Sequence, residues 1–285
     1  MLLFYFFLCS FFTSCQPSES TDKPVILVSI PPYAWLAQEI VGKEARVETI
    51  VPEGVDVHTY EPTARSLARY QQADIWFRIG DPFEEKILPV LKEANPDLEV
   101  YDLRETVPLL YTEDVCCHGE HNHNHLVDVH TWMSPKLALQ QALFMQTILE
   151  ATYKNGQFAE NAFVLQTCLT KLDAKIRALL EHAPSRAFLT SHPSFAYFCE
   201  EYGLQQISLE RKGKEPLAKG MQASAEAAER AGVAVALIEP QFSPKSAKIV
   251  AKSLDIPVQM VDPCSKNYPE SVLRLAKILN DPESP

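Results

Sequence analysis

One feature constrains the fold more than any other: from residue 25 to the C-terminus, short apolar, β-branched runs alternate with stretches of helical periodicity. That alternation is the signature of βα units building parallel sheets. The first half supplies Val25–Ile30, Val47–Val51, Ile75–Ile79 and Leu98–Tyr101 as strands, and the second half Ala187–Thr190, Gln206–Leu209, Val233–Ile238 and Val258–Val261. Between the halves the pattern is helical. Ser134-Pro135 reads as an N-cap followed by proline at the first helical position, opening a helix to about Tyr153. Lys154-Asn155-Gly156 breaks it, and a second helix from about Ala159 to His182 carries Leu165, Leu169, Leu172, Ile176 and Leu179 on one stripe. The expected fold is α/β: two similar lobes with mainly parallel four-stranded sheets, joined by a long rigid helix. No residue-level repeat relates the lobes, so their similarity is architectural. The expected division is 23–153 for the first lobe, 154–182 for the linker helix and 183–285 for the second lobe.

Acidic residues outnumber basic ones 37 to 26, a net charge of −11, which argues against binding a phosphate backbone. Nine Gly leave little room for Gly-rich phosphate loops, and the G-x-S-x-G, Walker, G-x-G-x-x-G and H-E-x-x-H motifs are missing. The apolar run Met1–Phe12 is too short for the roughly 20 residues of a spanning helix and reads as the core of a signal peptide covering 1–14. Thr13-Ser14-Cys15 after it resembles a lipobox, which makes Cys15 the expected lipid anchor and 15–22 a polar tether; an ordinary cleaved signal and an uncleaved anchor are the alternatives. The exported part then holds Cys116, Cys117, Cys168, Cys199 and Cys264, an odd number, so at least one stays free or binds metal. Cys199 and Cys264 could pair if their segments meet.

The eight His are the most informative residues. His58 lies just beyond the strand Val47–Val51, His130 directly before the helix opened by Ser134-Pro135, and His192 immediately after the strand Ala187–Thr190. Asp262 follows the strand Val258–Val261. Three of the four stand at the carboxyl end of a strand, where open α/β sheets place their ligands. Two come from each half, so lobes facing across a cleft would bring all four together. Three imidazoles and a carboxylate suit a tetrahedral Zn²⁺ with donors at about 2.0–2.2 Å. Each residue also has a plainer reading, as a loop or turn-capping side chain. Glu239, after the strand Val233–Ile238, is a reserve carboxylate whose plainer reading is a surface or helix-capping acid. Trp132 and Tyr60 are expected to pack beside the site.

At this point the sequence resembles the zinc and manganese substrate-binding proteins of bacterial ABC importers, the ZnuA/TroA type, from about Pro24 to Asn280. The resemblance is carried by ordered blocks: PEGVDVHTYEPT followed by QQADIWFRIGDPFE, then DVHTWMSP, then SHPSFAYFCEEYGL, then IEPQFSPKSAKIVAKSL and VDPCSKNY. It implies His58, His130 and His192 as metal ligands and Asp262 at the block where the family supplies a carboxylate. Manganese-favouring members commonly carry Glu in place of His192, so the third imidazole tilts the chain toward Zn²⁺, with Mn²⁺ or iron as the alternative cargo. The segment 112–127, with His118, His121, His123 and His125, matches a His-rich loop of the family; it could hold further Zn²⁺ weakly, Cys116 and Cys117 could add thiolates, and a solvated loop is the plainer reading. The implied function is capture of Zn²⁺ between the lobes outside the cytoplasm and delivery to an ABC-transporter permease. The protein is expected to be a monomer tethered to the membrane, with no catalytic residues and no nucleic-acid partner. A secreted zinc hydrolase is the rival from another class, and it would need a general base beside the metal.

Overall fold

The computed structural model describes residues 23–112, 126–154, 156–210, 214 and 216–283. The first half folds as β1 (Val25–Val28), α1 (Pro31–Val41), β2 (Arg46–Thr49), α2 (Ala64–Tyr70), β3 (Ile75–Arg78), α3 (Pro82–Ala94) and β4 (Glu99–Asp102). A two-residue pair follows, β5 (Tyr111–Thr112) and β6 (Leu126–Val127), then α4 (Pro135–Thr152) and α5 (Phe158–Leu180). The second half is β7 (Ala187–Thr190), α6 (Ala196–Tyr202), β8 (Gln205–Ser208), α7 (Ala218–Arg230), β9 (Ala236–Ile238), α8 (Lys245–Leu254), β10 (Val258–Met260) and α9 (Tyr268–Asn280).

Two four-stranded sheets result, ordered β2-β1-β3-β4 and β10-β9-β7-β8. Every pairing within them is parallel, as expected for strands linked by helices. β1 and β7, inner strands of their sheets, are buried along their whole length, which is why Val25–Val28 and Ala187–Thr190 read as unbroken apolar runs apart from Thr190. All eight expected strands are present, with ends displaced by a residue or two and β9 shortened to Ala236–Ile238. The antiparallel β5–β6 pair was not expected; it brackets the His-rich segment.

The connecting helices form as their sequence dictates. Ser134 caps α4 by accepting from the Leu137 N–H, and Pro135 sits in its first turn. On α5 the stripe Leu165, Leu169, Leu172 and Ile176 is buried, and the helix packs on α4, α1 and α9. The last helix, α9, returns to the first half: Trp35 and Tyr268 lie 5.7 Å apart between ring centroids, and Tyr268 donates to the Trp132 carbonyl. One apolar cluster therefore runs from β1 through α5 to α9, and a smaller one lies between the second sheet and α7 and α8. No helix among the described residues is long and apolar enough to cross a membrane. Cys199 and Cys264 are both buried free thiols, so the pairing considered from sequence is not made. The signal segment, Cys15, Cys116, Cys117 and all four His of the loop lie outside the described residues.

Candidate metal centre

The carboxyl ends of the two sheets carry the loops that matter. His58 sits in the loop from β2 to α2, shaped by Asp56, whose carboxylate accepts from the His58 N–H at 3.0 Å and the Thr59 hydroxyl at 2.8 Å. His130 opens the short 3₁₀ turn Thr131–Met133 that leads into α4. His192 follows β7 directly.

These three side chains converge. Each offers a ring nitrogen, and the three nitrogens lie within 4.8 Å of one another. Nε2 of His58 and Nε2 of His192 are 3.2 Å apart, and the ring centroids are separated by 5.0–5.5 Å. His130 and His192 are buried, whereas His58 is partly exposed.

Behind each imidazole stands a carboxylate. His58 Nδ1 pairs with Asp81 at 2.6 Å, His130 Nδ1 with Asp128 at 2.8 Å, and His192 Nδ1 with Glu210 at 2.8 Å. A carboxylate accepts only, so Nδ1 carries the proton and Nε2 is left with its lone pair toward the centre of the cluster. Phe242 stacks on His192 at 4.4 Å and 13°, and Trp132 lies 5.2 Å from His130 while donating to the Pro263 carbonyl. Rings and carboxylates together fix the three imidazole planes.

The electrostatics differ from one histidine to the next. Burial lowers the His58 pKa, but the hydrogen bond and charge of Asp81 outweigh it, so the net shift is upward. For His192 burial dominates and the shift is downward, against the pull of Glu210 and with the repulsion of His130 and His58. Asp128 is penalised by burial, yet its bonds to His130 hold it below the usual carboxylate range.

The other sequence candidates fall elsewhere. Asp262 is outside the histidine cluster: its Oδ1 accepts from Gln241 Nε2 at 2.6 Å and from the Cys264 N–H at 2.9 Å. Glu239 is not the surface or capping acid of its plainer reading. It is 1% exposed, its Oε1 accepts from the Thr190 hydroxyl, its Oε2 has no partner, and burial pushes its pKa up to about 8. Trp132 packs beside His130, and Tyr60 packs on Phe83 at 6.2 Å. Asp81, Glu210, Gln241 and Phe242 were missed from sequence. Asp81 and Glu210 did carry a signal, since both follow a strand's carboxyl end by a few residues, as His192 does.

Known proteins complete the picture. A family model described as the periplasmic component A of the zinc-uptake complex, ZnuA, matches residues 26–279. The chain belongs to the ZnuA family. A solved ZnuA structure superposes with a TM-score of 0.84 at 30% identity, covering 91% of this chain and 99% of that one. A Chlamydia trachomatis protein provisionally named as metal-binding is 30% identical over 220 residues, 76% of each chain. The zinc-binding lipoprotein AdcA of Streptococcus pneumoniae is 26% identical over 268 residues; the match takes in 90% of this chain but 53% of AdcA, so the chain spans about half that relative. The fold is also that of the periplasmic zinc-binding protein TroA from Treponema pallidum, with a TM-score of 0.78 at 20% identity. Within the ZnuA frame this chain brings three imidazoles together, and nitrogen donors suit zinc better than the hard, oxygen-preferring cations.

Proposed function

We infer that this ZnuA-family chain is the solute-binding component of a zinc importer, taking up Zn²⁺ outside the cytoplasm and passing it to an ABC-transporter permease. The observation that carries this is the convergence of a ring nitrogen from each of His58, His130 and His192, with the Nδ1 of each paired with a carboxylate. Such a site is organised before the ion arrives. Lipid attachment through Cys15 would keep the protein near its permease, and the His118, His121, His123 and His125 segment would serve as a weaker secondary zinc site. A monomer suffices, since all three donors come from one chain. Manganese as cargo is disfavoured by the all-nitrogen donor set.

The test is a competitive zinc titration against a chelator of known affinity. Replacing any one of His58, His130 and His192 by Ala is expected to cost far more affinity than replacing the four loop His by Ser. Equal losses would make the loop the principal site. Cys15→Ser is expected to release the protein from the membrane fraction without changing zinc affinity.

A further inference from the structure

Gln241 lines the same pocket as the three His, beside Phe242 and Cys264. Its amide orientation is set by chemistry: Asp262 is an acceptor, so the group 2.6 Å from Asp262 Oδ1 is the amide nitrogen, and Oε1 points the other way. That Oε1 is buried and has no hydrogen-bond partner. A buried acceptor left without a donor is costly, so its place on a metal pocket's wall calls for a donor supplied with the ligand. Three imidazoles leave one tetrahedral position open, and a metal-bound water filling it has protons to donate. Asp262, meanwhile, is held twice on one oxygen, by Gln241 and by the Cys264 N–H.

We propose that Gln241 is a specificity-determining residue: its Nε2 holds the Asp262 carboxylate off the metal, and its Oε1 accepts from the water that completes the shell. This rests on the zinc reading of the histidine site. The consequence is selectivity. A shell of three neutral nitrogens and a water suits zinc, whereas recruiting Asp262 adds a charged oxygen of the kind manganese prefers. Gln241 acts through Asp262 and is a positioning residue; the three His remain the ligands.

The experiment is competitive titration of Zn²⁺ and Mn²⁺ on wild type, Gln241→Leu, Asp262→Asn and the double variant, with visible spectra of the Co²⁺ forms. Gln241→Leu is expected to raise the Mn²⁺ to Zn²⁺ affinity ratio by about tenfold, the lower end of what residues behind metal ligands usually contribute. Its Co²⁺ bands should weaken as coordination number rises. The double variant should return the ratio to that of wild type, because the freed carboxylate is gone. Asp262→Asn alone should leave zinc affinity nearly unchanged. An unaltered ratio in Gln241→Leu, or a loss in Asp262→Asn as large as that of His192→Ala, would overturn the proposal while leaving zinc capture intact. Failure of wild type to bind zinc would strike the function itself.

Discussion

At the scale of single residues the site is three imidazoles and the three carboxylates behind them. The histidines were legible because each stands beside a strong local signal: a strand end, a helix cap, a proline. Their partners were less so, since Asp81 is 23 residues from His58 and Glu210 is 18 from His192, and only folding brings them together. Asp128, two residues before His130, is the exception, and it lies inside the DVHTWMSP block. Asp81→Asn, Asp128→Asn and Glu210→Gln are each expected to lower zinc affinity about 10- to 100-fold, read by chelator competition. Asp81→Asn carries a second signature. Zinc competes with protons for Nε2, so affinity is full where the imidazoles are neutral and falls as pH drops through their folded values. With Asp81 in place, the His58 pKa is held above its ordinary value. Without that carboxylate, burial is the largest remaining influence on His58 and pulls its pKa down. The fall in affinity should therefore begin at lower pH in Asp81→Asn than in wild type, even though the neutral-pH affinity is weaker. A wild-type affinity that stays flat from about pH 7 to 5 would contradict a site made of histidine.

At the scale of elements, the turn from β3 into α3 shows how the fold delivers a side chain to the site. Ile79-Gly80-Asp81 is gripped from one side by Glu84, which is fully buried and accepts from the Ile79 N–H at 2.9 Å and the Gly80 N–H at 2.7 Å while Ser29 donates to it. From the other side Arg104 donates to the Gly80 carbonyl and is itself paired with Asp102. Gly80 has φ of 79°, and a Cβ there would stand 1.8 Å from the Arg104 guanidinium carbon. Asp81 then caps α3 through the Phe83 N–H and reaches His58 with its other oxygen. Gly80→Ala is accordingly expected to destabilise the fold by about 1–2 kcal/mol from the left-handed backbone alone, with the displaced Arg104 adding to it. Thermal melting should show the loss, and zinc affinity should fall with it because Asp81 moves. The inner strands β1, β3, β7 and β9 were legible because they are buried and apolar along nearly their whole length, whereas the edge strands β2, β4, β8 and β10 are only partly buried and carry polar residues. The β5–β6 pair was not legible, because two residues are too few to display a period. The order of strands within each sheet was equally out of reach, since it depends on where the helices carry the chain rather than on any one run of residues.

At the scale of the whole molecule, the relation between the two sheets decides how the ion can leave. A sequence reading sees one long helix between two halves. The structure adds that α9, the last helix, packs back on α5, that Tyr268 donates to the Trp132 carbonyl, and that Trp132 donates to the Pro263 carbonyl, so contacts cross between the halves at several points. The main apolar cluster includes residues of both sheets, from Ile26 to Leu237. A wide hinge opening would pull this shared core apart and expose buried apolar surface at about 25 cal/mol per Å², whereas moving the His58 loop breaks contacts of the loop alone, within its half and across to the other, and leaves that core packed. One of those contacts joins the halves at the surface: Glu53, at the start of that loop, accepts from the Lys266 N–H at 3.1 Å. Release should therefore proceed by displacement of the loop between β2 and α2, with the sheets staying in place. Solution scattering of the metal-free and zinc-loaded protein is expected to give superimposable profiles. Hydrogen exchange should slow on zinc binding in residues 52–63 and change little in β1 and β7. A large rigid rotation between the two states, visible as a change in the scattering profile, would show that the shared core opens after all.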